Sequence, residues 1–118
     1  MIAPIAEALL RKENSVAVAT ACVDSLGFSA QLLNASSLIG TALLAVTGTS
    51  TTLLLEDTIR GLDDEGNPAR IGWNWTITAE TDDGDTQEIT GEAPFEHWPR
   101  LHLTLLNVFG RKAGCVDE

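Results

Sequence analysis

The sequence predicts an α+β fold: an antiparallel sheet of four to five strands packed against one or two helices, in a single domain spanning residues 1–118. Three observations carry that expectation. The chain opens on a helical pattern, the stretch Asn14–Leu55 is apolar with Asp24 as its one charged residue, and the second half holds a strictly alternating run between two acidic turns. At 118 residues the chain has the size of one domain, and it can bury roughly two thirds of its unfolded surface without a metal or disulfide staple.

The first element is a helix over Pro4–Lys12. Pro4 suits a first turn, Glu7 lies toward the N-terminus, Arg11 and Lys12 lie toward the C-terminus, and Ile2, Ile5, Ala6 and Leu9 share a face. Ser15–Val23 fits two structures. Val16, Val18, Thr20 and Cys22 alternate with alanines as in a strand, but the alanines serve a helix equally well. The alternation favours a strand. A turn at Asp24–Gly27 leads into an apolar piece, Phe28–Leu33, and Asn34, Ser36 or Ser37 can cap a helix through Leu38, Ile39, Ala42, Leu43 and Val46, closed by Gly48. Polar residues interrupt Leu26–Val46 too often for a membrane span.

The strand over Arg70–Glu80 is the clearest element. Ile71, Trp73, Trp75, Ile77 and Ala79 fall on one face, and Arg70, Gly72, Asn74, Thr76, Thr78 and Glu80 on the other. Turn chemistry at Leu62–Pro68 and Thr81–Asp85 makes Leu53–Arg60 and Thr86–Glu92 its hairpin neighbours. Beyond Pro94 and Pro99, residues 100–109 alternate in the manner of a further strand, with a short helix stopped by Gly110 as the competing reading. The tail from Arg111 reads as a loosely held terminus.

The formal charge is −10, and all of it arises between Glu56 and Glu96, where twelve acids face Arg60 and Arg70. Such a field repels phosphate, which disfavours direct contact with nucleic acid or an anionic membrane, and it attracts a basic protein surface. Surplus surface charge also serves plain solubility. No secretory signal is visible, so the expected location is cytoplasmic, with Cys22 and Cys115 as a buried thiol and a tail thiol rather than a bridge.

No pattern identifies catalytic or cofactor chemistry. The acidic turns invite calcium, but the glycine falls fourth when counted from Asp63 and third from Asp82, against the sixth position of an EF-hand loop. Glu96, His97 and His102 lack the His-Glu-x-x-His spacing that sets two imidazoles on one helical face. Neither a Gly-x-Ser-x-Gly elbow nor a glycine-rich phosphate loop occurs. No cofactor and no metal are expected. Trp73 and Trp75 belong in the core on the alternation, unless they stand exposed as a binding hot spot.

Three roles follow. The favoured one is a non-catalytic interaction domain, of the class of inhibitors, immunity proteins and DNA mimics, in which Asp63, Asp64, Glu65, Asp82, Asp83 and Asp85 at the hairpin tips meet a basic partner. The second is a small enzyme or ligand-binding domain with a pocket between sheet and helices, for which Asp24 and His102 are the polar candidates. The third is a structural subunit of a viral or other assembly that uses the Asn14–Leu55 segment, charged only at Asp24, as an interface.

Overall fold

The computed structural model describes residues 4–110. Helix α1 (Pro4–Leu10) and helix α2 (Ser15–Ser25) precede five strands, β1 (Ala30–Ser36), β2 (Thr41–Val46), β3 (Thr52–Leu62), β4 (Pro68–Glu80) and β5 (Thr86–Pro94). A 3₁₀ turn (Phe95–His97), helix α3 (Trp98–Leu105) and a π turn (Leu106–Gly110) follow. The strands form one antiparallel meander in the order β1-β2-β3-β4-β5, so the α+β architecture is as expected, with a third helix added. Met1–Ala3 and the tail from Arg111, including Cys115 and the expectation for it, lie outside the described residues.

All three helices cover one face of the sheet. Helix α2 packs on β1, β2 and β3, helix α3 packs on β5, and α1 touches both α2 and α3. One apolar cluster draws on every element, including Ile5, Leu9, Val18, Cys22, Leu44, Leu53, Leu55, Trp73, Leu101 and Phe109. Trp73 and Trp75 are buried here, which excludes them as an exposed hot spot. The Trp73 ring meets Phe95 edge to face with centroids 5.2 Å apart.

Three local expectations are corrected. Ser15–Ser25 is a helix: the Asn14 side chain accepts from Ala17 N–H at 2.8 Å, and Val18, Ala19 and Cys22 bury one helical face. Residues 34–46 are not a helix but the end of β1, a turn with Gly40 at φ +67°, and β2, in which Ala42, Leu44 and Val46 point into the core. The apolar spacing there suits a helix, but in the extended form β2 lies between β1 and β3 and pairs with both. Residues 98–105 are helical rather than a strand, with Pro99 in the first turn and Leu101, Leu105 and Phe109 buried four residues apart.

The alternation of β4 also breaks at its start. The β3–β4 register shifts between Thr58↔Gly72 and Ile59↔Arg70, a bulge that brings Arg70 to the helix side with Trp73. The Arg70 guanidinium donates to Lys12 C=O at 2.8 Å and Glu13 C=O at 3.0 Å, and Trp73 Nε1 donates to Glu13 C=O at 2.9 Å. These bonds hold the α1–α2 loop, in which Lys12 sits at φ +59°.

Candidate functional site

The acidic tips form as hairpin loops by local chemistry. Asp63 accepts from the N–H groups of Glu65 and Asn67 through Oδ1, both at 2.9 Å, and Gly66 takes φ +83° to close the turn. At the other loop Thr81 N–H donates to Asp85 C=O at 2.7 Å, with Gly84 at φ +87°. Asp64, Glu65, Asp82, Asp83 and Asp85 are exposed, and so is Asp63 although it also builds its turn.

The two tips do not meet. They cap opposite ends of β4, whose 13 residues separate them by roughly 40 Å at the usual rise per residue. Between them lies the face of the sheet that no described helix covers. Register places Glu56, Asn74 and Glu92 side by side in one row, Thr52, Thr78 and Glu88 in another, and Glu80 opposite Thr86. Glu56, Glu80, Glu88 and Glu92 therefore share the open face and link the tips.

Charge along this path is uneven. From Ile71 to Pro99 there are seven acids and no Lys or Arg, whereas Arg60 and Arg70 stand near the Asp63–Glu65 tip. Arg60 lines a depression of about 180 Å³ with Thr58, Ile71, Gly72, Glu92 and Pro94. Asp57 does not belong to the outward field at all. Its side chain is only 7% exposed, and Oδ1 accepts from Ser15 N–H and Ser15 Oγ at 2.9 Å and from Arg70 at 3.3 Å. In the sequence this carboxylate is one of the twelve acids of the charged stretch, and a residue between Glu56 and Thr58 gives no sign of a partner 42 residues away.

The polar candidates for a pocket are not brought together. Asp24 lines a groove of about 220 Å³ between α1 and α2, whereas His102 on α3 lies against Trp98 with ring centroids 5.9 Å apart. A depression of about 630 Å³, open to solvent, joins Leu9, Lys12, Arg60, Phe95, Glu96 and Trp98. Lys12 Nζ lies 5.4 Å from the Phe95 ring centroid there. Among the described residues no three His, Cys, Asp or Glu side chains gather in a way that could hold a metal ion. Cys22 is fully buried in the core, and burial pushes its thiol up to about 12. No described helix is long and apolar enough to cross a membrane.

Helices on one face of a five-stranded meander, with an acidic open face, define the class: an α+β domain carrying a polar exposed sheet surface. Comparison with known proteins found no matching family model, no matching curated protein and no matching solved structure.

Proposed function

We propose that the chain is a non-catalytic interaction domain that presents the β4–β5 hairpin and the adjoining open sheet face to a basic protein surface. The observation that carries this reading is the run from Ile71 to Pro99, where seven acids stand without a Lys or Arg. Glu80, Glu88 and Glu92 share the uncovered face with Glu56, and Asp82, Asp83 and Asp85 extend it at the tip. Summed over one surface, such a field raises the encounter rate with a cationic partner and repels nucleic-acid phosphate. The Asp63–Glu65 tip, at the far end and beside Arg60 and Arg70, contributes less to it.

The test is recovery of partners from the native host at low and high salt, using the wild-type chain and two triple variants. Asp82→Lys, Asp83→Lys, Asp85→Lys should lose a basic protein that the wild type retains at low salt. Asp63→Lys, Asp64→Lys, Glu65→Lys should lose it only in part. Equal recovery by all three proteins would leave the acids a solubilising role alone.

A further inference from the structure

The two edges of the sheet differ in kind. β5 carries Glu88 and Glu92 and ends at Pro94, features that keep a strand edge from pairing with another chain. β1, on the opposite edge, reads Ala-Gln-Leu-Leu-Asn-Ala-Ser and has no charge and no proline. No charged residue occurs anywhere from Ser25 to Leu55. Along this edge Phe28 is 93% exposed, Leu38 95% and Ile39 69%, with Leu32 and Leu33 also open. Together they leave on the order of 600 Å² of apolar side-chain surface, at the upper end of what a monomer shows and near the ~800 Å² per partner of a standard interface.

We propose that this edge binds a second copy of the chain, β1 against β1 in antiparallel register about a two-fold axis near Leu33. The spacing points to self-pairing. Phe28 and Leu38 stand in the turns that flank β1 at its two ends, so an antiparallel two-fold near Leu33 brings the Phe28 end of one copy beside the Leu38 end of the other, twice. Charge points the same way, because two chains of −10 each can approach closely only over a surface without acids. The β1 register shift between Leu32 and Asn34 falls at the axis, dividing the new ladder into two short halves flanked by the exposed apolar side chains.

Sedimentation equilibrium of the full chain under reducing conditions tests the pairing. The wild type should be a dimer. Leu33→Lys, which sets two ammonium groups together at the axis, should weaken association about tenfold or more with an unchanged circular dichroism spectrum. Phe28→Lys and Leu38→Glu should each weaken it, and the chain carrying both should recover it, because each Lys then faces a Glu across the axis. A wild type that stays monomeric at high concentration overturns the proposal, as does a dimer indifferent to Leu33→Lys or a double variant no better than the singles. Reversal of Asp82, Asp83 and Asp85 should leave the dimer intact, which keeps this surface separable from the acidic one.

Discussion

Asp57 and Ser15, 42 residues apart, are joined through a single carboxylate oxygen that accepts both the backbone N–H and the hydroxyl of Ser15 at 2.9 Å. With Arg70 on the same oxygen, this contact fastens the first turn of α2 and the loop before it to the middle of the sheet. Gly40 completes the enclosure, because a Cβ there would lie 2.5 Å from Asp57 Oδ2.

Removing that carboxylate should cost far more than a surface change. Asp57→Ala leaves the Ser15 hydroxyl and the partly buried guanidinium without their shared acceptor. The expected loss is about 3 kcal/mol, with a fall in Tm of roughly 10 °C or more. Asp57→Asn, which keeps one oxygen acceptor and the shape, should lose about half as much. Urea titration of the three proteins measures both.

Gly91 pairs with Trp75 across β4 and β5, and a Cβ at Gly91 would come within 2.6 Å of the indole ring. Gly91→Ala should therefore displace Trp75 and destabilise the domain by about 1–3 kcal/mol. A red shift in tryptophan fluorescence is expected with it, and an unchanged spectrum would show that the ring has room.

Cys22 gives a pH signature. Its thiol ordinarily titrates near 9.0 and is pushed up to about 12 by burial, so the unfolded chain ionises it first as pH rises. Its contribution is complete below pH 9.0 and is lost as pH climbs toward 12, at up to about 1.4 kcal/mol per pH unit. Cys22→Ala should start less stable, from the vacated volume, and decline less steeply across that window. Denaturant midpoints at several alkaline pH values compare the slopes. Below that range the native thiol should resist a disulfide reagent that modifies it once the chain unfolds.

The acidic tip should matter little to folding. Asp82→Lys, Asp83→Lys and Asp85→Lys change exposed turn side chains, and the three reversals move the net charge from −10 to −4. Stability should stay within about 0.5 kcal/mol per site by thermal unfolding. A loss of several kcal/mol would mean that these carboxylates serve the fold rather than a partner.

Local chemistry alone set the three strands from Leu53 onward, except for the bulge at the start of β4, because alternation fixes which side chains turn inward, and Asp, Asn and Gly turns fix where the chain reverses. The acids of the hairpin tips were legible for the same reason. Residues 15–25, 34–46 and 98–105 were not, since Ala-, Ser- and Leu-rich segments satisfy a helical and an extended period equally, and only the surface they pack against separates the two. Tertiary structure likewise drew Asp57 inward onto Ser15 and Arg70, sent the acidic tips to opposite ends of β4, and left β1 open on an uncharged edge. Those outcomes rest on pairings between distant residues, and a free energy that exists only once two distant groups touch leaves no periodic trace along the chain.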